Sequence, residues 1–126
     1  METMKDYKAR DAIVGVTEDD YRGGVAHFEG LTVESLTKLV EMDFADPDEQ
    51  QNSAPTIAEI LDFMLRNPRF TAHGYVVDPR RADVRVSLEG VALNEKPTDK
   101  ERDDFVSTFR HADDFSFKTN CYAWFD

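Results

Sequence analysis

The sequence predicts an α+β fold in which an antiparallel sheet carries two to three helices packed on one face. Apolar residues recur at three- and four-residue spacing in some segments and alternate with polar residues in others, which predicts helices and strands respectively. After residue 30 the resulting order is helix, helix, strand, strand, helix, strand, which is typical of a sheet covered on one side. We expect one domain over residues 1–126, with 31–126 as this core and 1–30 as a poorly defined N-terminal segment.

Length and composition limit the class of protein. A chain of 126 residues is long enough for one buried core, and its single cysteine, Cys121, allows no internal disulfide or cysteine-based zinc cage. No segment has the pattern of a signal peptide, and none approaches the roughly 20 apolar residues of a membrane span. We therefore expect a cytoplasmic protein with no membrane partner. The formal charge of -11 disfavours nucleic acid as a partner.

Two helices are predicted between residues 32 and 67. Thr32 can cap the first helix, whose apolar positions are Val33, Leu36, Leu39 and Val40. Thr56 and Glu59 form a capping box for the second helix, which should end near Asn67 because the residue before Pro68 is pushed out of the helical region. The apolar positions of the second helix are Ile57, Ile60, Leu61, Met64 and Leu65.

A β-hairpin is predicted next. Residues 70–77 and 84–89 alternate between two sets of side chains, and the segment DPRRAD between them contains a proline turn. Arg80 and Arg81 lie at the tip of this turn. Gly90 marks a bulge or the end of the second strand.

The end of the chain adds one helix and one strand. Thr98 and Glu101 form another capping box, for a helix that buries Phe105, Phe109 and Ala112. Residues 115–126 alternate again, with Phe117, Thr119, Cys121, Ala123 and Phe125 on one face of the predicted strand.

The candidate binding site is the face of the sheet that points away from these helices. Period-two alternation assigns the core face to Phe70, Ala72, Val76, Val84, Val86, Leu88, Phe117, Cys121 and Phe125. The opposite face presents the candidate site residues His73, Tyr75, Arg85, Lys118, Asn120, Tyr122 and Trp124, together with Thr71, Ser87 and Glu89. Tyr, Trp and Arg are enriched where proteins bind partners. In the alternative interpretation, the first 30 residues fold over this face and bury its aromatic side chains.

These features predict a non-catalytic acidic module that binds a protein partner or a second copy of itself. The three histidines show no metal-ligand spacing, and no nucleophile motif is present, so we assign no metal, cofactor or catalytic residue. An enzyme whose site includes His73 remains an alternative.

Two further alternatives concern nucleic acid. Two helices followed by a hairpin is the order of a winged-helix DNA-binding domain, in which Thr56 to Arg66 would be the recognition helix and Arg80 and Arg81 would contact the nucleic acid. Glu59 and Asp62 on that helix count against it, because groove-reading helices need cationic or amide side chains. The acidic charge also permits a protein that imitates nucleic acid and inhibits a DNA- or RNA-binding enzyme.

Overall fold

A computed structural model describes residues 7–50, 54–77 and 86–125. Within these ranges it confirms the α+β class, with four helices and an antiparallel sheet of five strands. The elements in chain order are α1 (Tyr7–Val14), β1 (Val25–Leu31), α2 (Val33–Glu41), α3 (Ile57–Arg66), β2 (Thr71–Val77), β3 (Val86–Leu93), α4 (Asp99–Phe109), β4 (Asp114–Ser116) and β5 (Cys121–Trp124). None of the described helices has the length and apolar character needed to cross a membrane.

The sheet has the strand order β1-β2-β3-β5-β4, and all neighbouring strands are antiparallel. β2 and β3 form the predicted hairpin, with Tyr75 opposite Ser87 and His73 opposite Gly90. Residues 78–85, which include Arg80, Arg81, Val84 and Arg85, lie outside the described residues.

The predicted final strand is wrong in one respect, because residues 114–124 form two strands and a turn. β4 and β5 pair as a second hairpin, with Ser116 opposite Tyr122. Lys118, Thr119 and Asn120 lie in the turn between them, where all three are exposed. The alternating pattern runs through this turn, so alternation alone does not reveal that the chain reverses there.

The three predicted helix starts are confirmed by hydrogen bonds. The hydroxyl of Thr32 accepts a bond from the Ser35 amide, which caps α2. Thr56 with Glu59 and Thr98 with Glu101 form reciprocal capping boxes at the starts of α3 and α4. These bonds satisfy amide groups that have no partner within the first turn of a helix.

The core contains a cluster of phenylalanine rings between the helices and the sheet. Phe63 of α3 lies edge-on to Phe70, at 4.8 Å between ring centroids, and to Phe109 of α4, at 4.9 Å. Phe105 of α4 stacks on Phe70 at 5.6 Å and on Phe115 of β4 at 5.2 Å. Such rings bury large apolar areas and favour edge-to-face or offset contacts, so the cluster joins α3, α4 and the sheet.

The buried face of α3 differs slightly from the prediction. Phe63 is fully buried together with Met64, whereas Leu65 is 58% exposed. The buried positions after Ile57 are therefore i+3, i+6 and i+7, and the apolar stripe ends one residue earlier than the spacing predicts.

The N-terminal segment packs on the helix side of the sheet rather than over the opposite face. Val14, Val16 and Phe28 belong to the same apolar core as α2, α3 and α4, and α1 contacts both α2 and β1. His27, which alternates with Phe28 on β1, is exposed on the other face. The alternative interpretation, in which this segment covers the aromatic face, is therefore not what the described residues show.

A buried ion pair joins α1 to the sheet. Arg10 has no exposed surface; its guanidinium donates to Asp11 at 2.9 Å, to the Tyr21 hydroxyl at 2.7 Å and to the Val77 carbonyl at 3.1 Å. Burial, reinforced by the hydrogen bond to Asp11, raises the pKa of Tyr21 to about 12. The network ties α1 and the segment after it to the end of β2.

Replacing Arg10 with methionine should destabilise the protein. The substitution leaves the Asp11 carboxylate buried without its cation, and breaking such a pair typically costs about 3–5 kcal/mol. Urea denaturation would measure the loss. Arg102→Met is the control, because Arg102 pairs with an exposed Asp99 and should change stability by less than about 1 kcal/mol. Equal effects of the two substitutions would contradict a structural role for the Arg10 network.

Glu101 joins the start of α4 to Arg69, which lies two residues before β2. Its carboxylate accepts bonds from Arg69 at 2.6 Å and 3.0 Å and from the Thr98 amide at 2.8 Å. The Arg69 guanidinium, helped by the Thr98 bonds, lowers the pKa of Glu101 to about 2 despite its partial burial. Because the folded state favours the ionised form, this stabilisation is complete above the unfolded pKa of about 4.3 and is lost as the pH falls toward 2.

Glu101→Gln should therefore lower stability at neutral pH and flatten the acid dependence. We expect a loss of about 1–2 kcal/mol, since Arg69 is partly solvent-exposed, and a smaller decline of unfolding free energy between pH 4.5 and pH 2. Denaturant titrations at several pH values would measure both effects. Glu59→Gln, in the exposed capping box of α3, serves as the control; an unchanged acid profile in Glu101→Gln would contradict the assignment.

Candidate functional site

A groove of about 540 Å³ crosses the sheet face that points away from the helices. Its walls come from four adjacent strands and the segments that continue them: His27, Phe28, Glu29, Gly30, Thr71, His73, Gly74, Glu89, Ala92, Asn94, Tyr122 and Trp124. All four described helices contribute instead to the core on the opposite side. Within the described part of the chain, the groove is thus open to solvent.

His73 is the central side chain of the groove, and it reaches across β3. It belongs to β2, yet its Nε2 lies 3.1 Å from the carbonyl oxygen of Ala123 on β5. Since a carbonyl only accepts, this contact requires that Nε2 carries the proton. The imidazole also stacks on Tyr122, with ring centroids 5.1 Å apart and planes 9° apart. The side chain consequently links two strands that are not neighbours in the sheet.

Gly90 makes this crossing possible, because it has no side chain at the point where the ring passes. A Cβ at Gly90 would lie 2.9 Å from the His73 ring and would collide with the Ala123 carbonyl. The pairing of β2 with β3 shifts register here, so that His73 faces Gly90 while the next residue, Gly74, faces Leu88. The predicted bulge at Gly90 is thus confirmed, although β3 continues to Leu93.

The electrostatic environment of the groove is negative. Glu29 and Glu89 line it, and Glu89 Oε1 lies 3.6 Å from Nδ1 of the exposed His27. Burial raises the pKa of Tyr122, and the charges of Asp114, Glu89 and Glu29 raise it further.

The pKa of His73 is determined mainly by the burial of its ring. Desolvation lowers its pKa, and the Ala123 carbonyl and the charge of Glu89 oppose that change without cancelling it. The ring is therefore neutral at neutral pH, which agrees with a single proton on Nε2.

The structure brings together only some of the predicted site residues. His73, Tyr122 and Trp124 line the groove, and Tyr75 lies at its side with its ring centroid 5.9 Å from that of His27. Lys118 and Asn120 instead line a separate recess of about 240 Å³ at the β4–β5 turn.

Four other predicted residues either lie outside the described residues or do not line the groove. Arg85, and the alternative nucleic-acid residues Arg80 and Arg81, lie outside the described residues. Ser87, expected on the exposed face, is buried and donates a hydrogen bond to Glu49 of the loop between α2 and α3.

Three polar residues that line the groove were not among the predicted site residues. His27 and Glu29 lie on β1, within the segment whose pattern did not predict a clear strand, and Asn94 follows the end of β3. The alternation of HFEGL at 27–31, with Phe28 and Leu31 buried, is the signal that could have found the first two, but a bulge between these residues interrupts it.

Neither a metal-binding cluster nor an ionised thiol lies at the groove among the described residues. No group of three His, Cys, Asp or Glu side chains suited to a metal ion occurs among the described residues. Cys121 lies on the core side of β5, where burial raises the pKa of its thiol to about 11, so it is not a nucleophile at neutral pH.

No protein-family model, curated protein or solved structure significantly matches this chain.

The charge of α3 does not suit a DNA-reading helix. Its exposed side includes Glu59 and Asp62, and its one cation, Arg66, is paired with Asp104 at 2.9 Å. Phosphate contacts require available cationic groups, so this surface would repel a nucleic-acid backbone.

Gly90→Ala should displace His73 and destabilise the sheet. The added methyl group must move either the Ala123 backbone or the His73 ring, and overpacking of this kind typically costs about 1–3 kcal/mol. NMR would show altered His73 and Tyr122 ring signals, and denaturation would give the cost. Gly15→Ala is the matched control: that site also has a positive φ but open space around it, so the ring signals should not change. Unchanged rings in Gly90→Ala would contradict the crossing.

Proposed function

We propose that this chain is a non-catalytic, acidic, cytoplasmic module that binds another protein through the groove on its open sheet face. The observation that carries the proposal is the partial exposure of His73, Tyr75, Tyr122 and Trp124 on a sheet face without a covering helix among the described residues. Tyrosine and tryptophan supply large contact areas with few rotatable bonds, and they dominate the energetics of many interfaces.

The partner is a protein rather than nucleic acid. The groove has carboxylates at Glu29 and Glu89, and none of the described residues that line it is lysine or arginine. The whole chain carries a formal charge of -11, which would repel phosphate at long range. The same charges favour a different protein over a second copy of this chain, because a symmetric dimer would place the carboxylates of one groove against those of the other.

Substitution of Trp124 should weaken partner binding without unfolding the protein. Wild-type protein would be used to capture proteins from a lysate of the source cells, and an identified partner would then be purified and titrated directly. Trp124 is the single tryptophan of the chain, so its fluorescence reports binding to wild type and to Tyr122→Ala, and calorimetry measures binding to Trp124→Ala, which has no tryptophan. We expect Trp124→Ala or Tyr122→Ala to weaken the affinity by at least about tenfold, as expected for an interface hot spot.

The control is Leu65→Ala, which removes an exposed apolar side chain from α3 on the helical side of the molecule. It should leave the affinity unchanged, and circular dichroism would establish that every variant is folded. A partner that binds wild type and the Trp124 and Tyr122 variants equally would contradict the proposed site. Retention of nucleic acid in place of protein would contradict the proposed class of partner.

A further inference from the structure

We infer that the groove recognises an arginine side chain in an extended, basic segment of its partner. This inference rests on the proposed function, and it adds the chemistry of the bound group. It depends on the carboxylates of the groove, on the aromatic rings beside them and on the dimensions of the open face.

The carboxylates define the sign of the bound charge. Glu29 lies on β1 and Glu89 on β3, so acidic groups flank β2, the strand that carries His73. The side chain of Glu89 is 15% exposed and has one oxygen 3.6 Å from His27 Nδ1, and because a carboxylate has about four acceptor sites it can accept further hydrogen bonds. The raised pKa of Tyr122 is consistent with this field, since Glu29 and Glu89 both contribute to it.

The aromatic rings favour a planar cation. His73 and Tyr122 form a nearly parallel pair, and Trp124 follows two residues later on the same face of β5. A guanidinium group stacks on an aromatic face while its N–H groups donate to a carboxylate, whereas an ammonium group is more strongly hydrated and lacks the planar surface. The combination of rings and carboxylates therefore selects arginine over lysine.

The small side chain of Ala92 on β3 gives the arginine room. Ala92 pairs with Tyr122, so β3 contributes little bulk beside that ring, whereas the His73 ring passes over Gly90, which pairs with Trp124. The groove residues span four neighbouring strands, which at a spacing of about 4.8 Å gives a width of about 14 Å. An extended segment of about four residues covers that distance at about 3.3 Å per residue.

Selection from a library of displayed random peptides tests this inference before any partner is identified. Peptides that bind wild type would be screened against Trp124→Ala, Glu89→Gln and the control Glu34→Gln, whose carboxylate is exposed on α2. We expect the peptides that depend on Trp124 to be enriched in arginine. We also expect Glu89→Gln to weaken them by about tenfold and Glu34→Gln to have little effect.

A pair of synthetic peptides then measures the contribution of the arginine charge to binding. One selected peptide would be compared with the same peptide carrying citrulline, a neutral analogue of nearly the same shape, in place of arginine. Titration of Trp124 fluorescence should show a loss of affinity of about tenfold or more, and high salt should weaken the arginine peptide alone. Equal affinities of the two peptides would overturn the inference.

The outcomes separate this inference from the proposed function. If the selected peptides depend on Trp124 but are neutral, acidic or rich in lysine without arginine, the groove binds proteins and arginine recognition is wrong. If no selected peptide depends on Trp124 or on Tyr122→Ala, in variants that circular dichroism shows to be folded, both proposals fail.

Discussion

The phenylalanine cluster around Phe63 determines which side of the sheet is covered. Its rings come from α3, α4, β4 and Phe70, the residue before β2, and they contact one another at centroid distances of 4.8 to 6.4 Å. Because side chains alternate along a strand, a sheet that directs its large apolar groups to one side directs the remaining groups to the other. The groove is therefore a consequence of the core. The described helices all pack on the apolar face of the sheet, and the polar and aromatic side chains of the opposite face stay exposed.

Local chemistry explains why much of the fold was predictable. The capping residues Thr32, Thr56 and Thr98 act within one helical turn, so the sequence around them contains all the information needed to locate a helix start. The hairpin of β2 and β3 was predictable for the same reason, since its strands are adjacent in the chain. His73, Tyr122 and Trp124 were placed on the correct face because period-two alternation holds within each strand.

The parts that were not predictable depend on pairing between distant segments. β1 joins the sheet beside β2, from which α2 and α3 separate it in the chain, and this pairing brings His27 and Glu29 to the groove. The β4–β5 turn reverses the chain inside a continuous alternating pattern. Lys118 and Asn120, which were predicted in a strand, therefore line a separate recess. The register shift at Gly90 could be suspected from a glycine in a strand, but its effect, the passage of His73 to β5, depends on the three-dimensional neighbours of that glycine.

The burial of Cys121 has a practical consequence for work on this protein. The chain has no other cysteine, and the side chain points into the core beneath Tyr122, on the opposite face of β5. A thiol whose pKa is raised to about 11 remains protonated at neutral pH and reacts slowly with maleimides or iodoacetamide. A second cysteine introduced at an exposed position beside the groove would thus be labelled selectively in the native protein, so that spin labels or fluorophores report on the groove without removal of the natural residue.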